Sequence, residues 1–150
     1  MNLALLLEMA AEAAPERIGL VCEGRRWTYA ELLQAARGAA EVIGQCGVSH
    51  VALLDESSEA AVIALFGAAL AGVPYCPLNY RLPDADLAAL VERIAPALTV
   101  GDPARITRIA GGRGHHALSR AAFADALCAA GLVKLTPALR TLVAQILQGR

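Results

Sequence analysis

The sequence predicts an α/β fold, a mainly parallel sheet flanked by helices around a βαβαβ core, and three observations predict it. Short, almost wholly apolar segments at 50–54, 73–76 and 97–100 alternate with helical stretches at 59–71 and 83–95. Strands of that character are buried on both faces, as in a parallel sheet covered by its crossover helices, and those crossovers are expected to be right-handed. The chain has 150 residues, 57% of them hydrophobic and only 18% charged, which is enough apolar side chain to fill the core of one domain. Aromatic residues make up only 4%, so alanine and glycine must do much of the packing.

The elements then follow in order. Residues 3–13 read as a helix stopped near Pro15. Residues 17–22 alternate toward a strand, and Glu23-Gly24 is a tight turn into a second short strand at 25–27. Thr28 can cap the next helix with its hydroxyl while Glu31 reaches back to close a capping box. Trp27 and Leu32 occupy the two positions of a hydrophobic staple around that cap. This helix is predicted from Tyr29 to about Cys46, with Gly47 just past its end. Its positions Leu32, Leu33, Ala36, Ala39, Ala40 and Ile43 form one buried face. Pro83 presets the first turn of the helix over 83–95, Asp84 and Asp86 offset its positive end, and Pro96 stops it.

Beyond Val100 a short helix is expected at 102–110, then a loop at Gly111-Gly112-Arg113-Gly114. Ser119 can cap a helix running to Ala130 and ended by Gly131. Thr136-Pro137 opens a last helix in which Leu139, Leu142, Val143, Ile146 and Leu147 make an apolar stripe. That stripe needs a surface to lie against. No internal repeat and no low-complexity linker interrupts the chain.

Bulk properties exclude several classes. A net charge of −1 provides no field for nucleic acid or an acidic membrane surface. Cys22, Cys46, Cys76 and Cys128 have no metal-ligand spacing, so they read as buried reduced thiols of a cytoplasmic protein. The first fourteen residues lack the basic start and cleavage pattern of a signal peptide. Residues 60–80 are uncharged, but Gly67, Gly72, Pro74 and Pro77 interrupt them, so no membrane span is expected.

Candidate chemistry is sparse. The first strand-to-helix turn of the parallel unit is Asp55-Glu56-Ser57-Ser58, which has no glycine for a pyrophosphate and two carboxylates to repel one. It reads as a solvated acidic loop with Ser57 or Ser58 capping the helix. The 111–114 loop lacks the Gly-Lys-Ser/Thr ending of a phosphate loop. His115 and His116 are adjacent, so their rings point apart, and no third ligand completes a metal site. His50 reads as a surface or satisfied histidine, and Ser119 as a cap without an acid–base partner. Asp84, Asp86, Glu92 and Arg93 read as a solvated helix face. The one lysine, Lys134, stands in no phosphate-binding context.

Residues 3–102 carry a resemblance. Glu12-Ala13-Ala14-Pro15-Glu16-Arg17-Ile18, Trp27-Thr28-Tyr29-Ala30-Glu31-Leu32, the stretch from Gly47 to Leu54, and the run from Ala64 through Ala71-Gly72-Val73-Pro74-Tyr75-Cys76-Pro77-Leu78-Asn79 occur in succession. In that order they resemble the N-terminal subdomain of the adenylate-forming (AMP-binding) superfamily, the AMP-forming acyl-CoA synthetases and their relatives. The resemblance implies ATP, magnesium and coenzyme A for the complete enzyme, which activates a carboxylate as an acyl-adenylate and passes it to a thiol. The family's Ser/Thr-Gly-Thr/Ser-Thr-Gly-x-Pro-Lys loop and its Thr-Gly-Asp motif do not occur in these 150 residues. No catalytic, cofactor-binding or metal-binding residue is therefore assigned, and no cofactor is expected for this chain by itself. Arg93 is the one basic side chain on a helix that approaches coenzyme A in some relatives, and it is left unassigned.

The expectation is a partial N-terminal subdomain over 1–118 and a helical tail over 119–150 without clear family correspondence. Functionally, the chain is expected to be a truncated N-terminal portion of an AMP-forming carboxylate–CoA ligase, inactive alone and completed by another polypeptide. The alternative is a non-catalytic α/β interaction module that dimerises or docks through its apolar tail.

Overall fold

The structure is a computed structural model and describes residues 2–111 and 114–125. The elements in order are α1 (Ala4–Ala13), β1 (Ile18–Cys22), β2 (Arg25–Thr28), α2 (Tyr29–Cys46), β3 (His50–Leu54), α3 (Glu59–Ala71), β4 (Tyr75–Pro77), α4 (Asp84–Arg93), β5 (Ala97–Gly101), α5 (Pro103–Ala110) and β6 (His115–Leu118). β1 and β2 form an antiparallel hairpin, and the other four strands form a parallel sheet in the order β4-β3-β5-β6. The α/β class, the hairpin and the parallel core are as predicted.

Local chemistry accounts for the boundaries. Glu23 and Gly24 both have positive φ, 49° and 81°, the mirror-image turn that matches the twist of a two-residue hairpin. The Thr28 hydroxyl accepts from the Glu31 N–H at 3.1 Å while the Glu31 carboxylate accepts from the Thr28 N–H at 2.8 Å, so the capping box is complete. Trp27 and Leu32 are both buried beside it. Gly47 ends α2 in the left-handed region, where a side chain would be strained.

Three expectations are corrected. The strand expected from residue 73 begins at Tyr75, because the Val73 N–H is used on the Ala68 carbonyl to close the end of α3, and Pro74 has no N–H to give. The helix expected over 83–95 ends at Arg93, where the Ile94 and Ala95 N–H groups turn to the Val91 and Glu92 carbonyls three residues back. The 115–118 segment, read only as adjacent histidines, is a strand paired with β5. The expectations for Ala126–Arg150, including the end of the helix begun at Ser119, Cys128, Lys134 and the stripe from Leu139 to Leu147, lie outside the described residues.

Two helical layers sandwich the sheet. Val51, Leu53, Leu98 and Val100 face α2 and α3, where Ala36, Ala39, Ile43, Ala60, Ile63 and Ala64 cover them. Leu54 faces the other way, toward Leu87 of α4 and Ile106 of α5. Alanine and glycine let α2 and α3 approach closely: a Cβ on Gly67 would stand 2.5 Å from the Ala39 Cβ. Between β3 and β5 the contact is tighter still, since a Cβ on Gly101 would overlap the Leu54 carbonyl oxygen.

These contacts separate glycines that space requires from those it does not. Gly101→Ala must displace backbone and is expected to destabilise by about 1–3 kcal/mol. Gly44, inside α2 with nothing within 4 Å of an added methyl, should gain about 0.5–1 kcal/mol on Gly44→Ala. Denaturant melts of the two variants check the opposite signs.

Candidate functional site

In the strand order β4-β3-β5-β6, the connection leaving β3 passes to one side of the sheet and that leaving β5 passes to the other. The crevice beyond the carboxyl ends of β3 and β5 is therefore the switch point, where open α/β sheets receive ligands. Asp55 and Asp102 follow these two strands directly. Asp102 turns inward to its own helix, its carboxylate accepting from the Ala104 N–H at 3.0 Å.

Asp55 is engaged by a residue the sequence did not single out. Arg120, two residues after β6, donates from Nε to Asp55 Oδ2 at 3.1 Å, and its Nη2 is also 3.1 Å from that oxygen. Its Nη1 lies 3.6 Å from the Glu23 carboxylate at the hairpin tip. Burial alone would lower the Arg120 pKa, but the hydrogen bond and charge of Asp55, with Glu23 and Glu59 nearby, raise it. Residues 120–125 are helical, with Ser119 capping through its hydroxyl to the Ala122 N–H at 3.0 Å and Phe123 fully buried in the core. The guanidinium thus ties hairpin, switch-point turn and the helical turn at 120–125 together.

The reading of residues 55–58 as a solvated acidic loop is corrected accordingly: Asp55 is mostly covered and ion-paired. Ser58 occupies the N-cap of α3 with extended backbone, but its hydroxyl makes no cap bond and is buried without a partner among the described residues. The solvated-face reading of α4 is corrected at Asp84. Arg105 donates to its Oδ1 at 2.9 Å and Arg108 to its Oδ2 at 2.7 Å, and these hydrogen bonds, Arg108's first, hold the carboxyl below its ordinary pKa. Arg105 also donates to the Tyr80 and Leu82 carbonyls at 2.8 and 3.1 Å, which fixes the connection from β4 to α4. Asp86, Glu92 and Arg93 are exposed.

The remaining candidates are dispersed. β6 directs His115 and His116 to opposite faces, as adjacent residues of a strand must. Burial depresses the His115 pKa, and its Nδ1 has no partner among the described residues. His50 Nδ1 lies 3.2 Å from the Ser49 hydroxyl. The Cys22 thiol is raised by its hydrogen bond to Glu59, and burial pushes Cys46 up to about 11, so both are neutral thiols at physiological pH. Among the described residues no three His, Cys, Asp or Glu side chains gather closely enough to hold a metal ion, and no helix is long and apolar enough to cross a membrane.

The architecture is that of a doubly wound α/β unit whose switch point is closed by its own ion pair. The model of the AMP-binding enzyme family matches residues 7–146. The chain belongs to that family. The match runs well past residue 102, where the resemblance read from the sequence ends. Tyrocidine synthase 1 of Brevibacillus parabrevis is 37% identical over 81 residues, covering 52% of this chain and 7% of that protein. A medium/long-chain-fatty-acid–CoA and 3-oxocholest-4-en-26-oate–CoA ligase of Mycobacterium marinum is 32% identical over 95 residues, covering 61% of this chain and 17% of the ligase. The crystal structure of a benzoate CoA ligase from Burkholderia xenovorans superposes with a TM-score of 0.76 at 22% identity, over 92% of this chain and 30% of that one. The chain thus spans less than a fifth of the length of each of these two curated relatives.

Two measurements check the electrostatics. In a double-mutant cycle, Arg120→Ala and Asp55→Asn should each destabilise by about 1 kcal/mol and share most of that loss. The His115 pKa is lowered on folding from 6.5, so the unfolded chain takes up its proton first. Its contribution is complete above pH 6.5 and is lost as pH falls below it. The melting temperature of the wild type should therefore drop more steeply over that range than that of His115→Gln.

Proposed function

We propose that this chain forms the N-terminal scaffold of an ATP-dependent, AMP-forming carboxylate–CoA ligase, and that by itself it makes no acyl-adenylate. The observation that carries the reading is the family match along residues 7–146, in a chain similar to both peptide synthetases and CoA ligases. In complete enzymes of this kind ATP, magnesium and coenzyme A take part, with the carboxylate displacing pyrophosphate from the α-phosphate of ATP and the thiol then displacing AMP from the acyl group.

Joining a carboxylate to a phosphate brings two anions together, so donors must be held ready for the charge that develops. The described switch point does not fit a polyphosphate. Its turn carries Asp55 and Glu56, Glu59 opens the following helix, and its cation, Arg120, is committed to Asp55 and Glu23. No glycine-rich phosphate loop occurs in the 150 residues. The contribution of these residues is then positional: a rigid sheet and two helical layers on which residues outside these 150 complete the reaction. A cytoplasmic setting accords with the free thiols of Cys22, Cys46 and Cys76.

A second reading, a non-catalytic interaction module, is favoured by the exposed apolar side chains of α1. Carboxylate-dependent ATP–pyrophosphate exchange separates the two. The purified chain should give no exchange above background. Co-expression with a polypeptide carrying the Ser-Gly-Thr-Thr-Gly loop and the C-terminal lysine domain of a CoA ligase should yield an active complex. Robust exchange by the chain alone would overturn the proposal, and failure of every such complement to bind would favour the second reading.

A further inference from the structure

One surface of the molecule departs from the apolar-in, polar-out rule. Among the described residues, all but one of the large apolar side chains left exposed belong to α1 or its N-cap: Leu3, Leu5, Leu6 and Met9 are 41–57% exposed. Leu5 and Met9 are one turn apart and share a helix edge with Glu8 and Glu12. Beside that edge, Glu8, Ala11 and Glu12 form one wall of an open groove of about 600 Å³. The opposite wall is α2, which presents Leu33, Gln34 and Arg37. Positions 8, 11 and 12 of one helix thus face positions 30, 33, 34 and 37 of the other, the spacing with which helices line a bundle seam.

The charges of this groove are arranged in register. The Ala30 N–H donates to the Pro15 carbonyl at 3.1 Å, tying the start of α2 to the end of α1 so that the two run antiparallel. Glu8 and Arg37 each lie seven residues from that tie, all of them helical on the Arg37 side and all but the last two on the Glu8 side, so they stand within about one helical turn of the same level on opposite walls. Even so, neither makes an ion pair among the described residues, nor does Glu12.

We propose that this face is where two copies of the chain associate. A two-fold axis running along the groove lays α1 of each copy over α2 of the other and gives an up-down four-helix arrangement. The same rotation keeps levels and exchanges walls, so each Glu8 meets the Arg37 of the second copy, twice over. Leu5 and Met9 then pass from water into the seam. A second copy satisfies the charge pattern and the apolar edge with one operation, as an isologous contact requires. The face is two helices wide, and α1 spans only 10 residues of it, small beside stable interfaces, so the dimer should be weak, with a dissociation constant on the order of 10 µM.

Sedimentation velocity of the complete chain, from about 1 to 300 µM, tests this without reference to adenylation. The wild type should pass from monomer to dimer. Arg37→Glu should weaken association at least about tenfold, and Glu8→Arg combined with Arg37→Glu should recover it to within about threefold of wild type. Met9→Asp should abolish it with circular dichroism unchanged. A wild type that stays monomeric across the range overturns the proposal, as does a dimer indifferent to Arg37→Glu or one that the double exchange fails to restore. A monomer whose Met9 resists peroxide until unfolding has this face covered within its own chain, which overturns it equally.

Discussion

The close pairing of β3 with β5 is the constraint on which the rest of the molecule depends. Both strands are buried along nearly their whole length, so each must be apolar on two faces and each needs a helical layer on either side. Their register places Leu54 opposite Gly101, where the Leu54 carbonyl leaves no room for a side chain on the neighbouring strand. The two strands consequently end level, and the turns that follow them begin side by side. The crevice at the carboxyl ends is thus fixed by packing before any of its side chains is chosen.

What fills that crevice follows from electrostatics. Asp55, Glu56 and Glu59 fall within five residues at the head of α3, where the helix dipole favours negative charge but mutual repulsion opposes it. A partly covered carboxylate so placed needs a cation, and Arg120 supplies one from beyond β6. The same residue reaches Glu23, so the hairpin tip is drawn toward the sheet by a charge it shares with the turn. Asp84 repeats the pattern on the opposite layer, where two arginines of α5 converge on one carboxylate at the start of α4. In both places a charged group at a helix start is matched by arginine from an element formed later in the chain.

This division between local and distant partners explains how much of the structure was legible. The capping box of Thr28 and Glu31, the staple of Trp27 and Leu32, the Glu23-Gly24 turn and the glycine after α2 all act within a few residues, and all could be read. The parallel core of β3, β4 and β5 could be read because its strands are almost wholly apolar. β6 could not, because His115-His116-Ala117-Leu118 has neither β-branched residues nor alternation; it becomes a strand by pairing with the free edge of β5. Arg120 could not, since its Asp55 partner lies 65 residues away. Ser58 shows the opposite error: a residue type suited to capping stands at the cap position, yet its hydroxyl is buried without a partner among the described residues, and the Ala61 N–H donates to the Ser58 carbonyl instead. The family was legible because its motifs describe these same local devices; its chemistry was not, because no phosphate loop is written in these residues.

The low aromatic content has a structural consequence that bears on function. Ala36, Ala39 and Gly67 bring α2 and α3 together with little more than backbone between them, and small side chains have few rotamers to lose on burial. A layer built this way has few internal degrees of freedom and transmits position faithfully. That suits a scaffold whose task is to hold other residues in place. It also sharpens the contrast with α1, whose inner face, Ala4, Leu7 and Ala11, is small and buried while Leu5, Leu6 and Met9 point outward. A chain that economises on large apolar side chains in its core, yet spends several on one exposed helix, places them where a second surface can remove them from water.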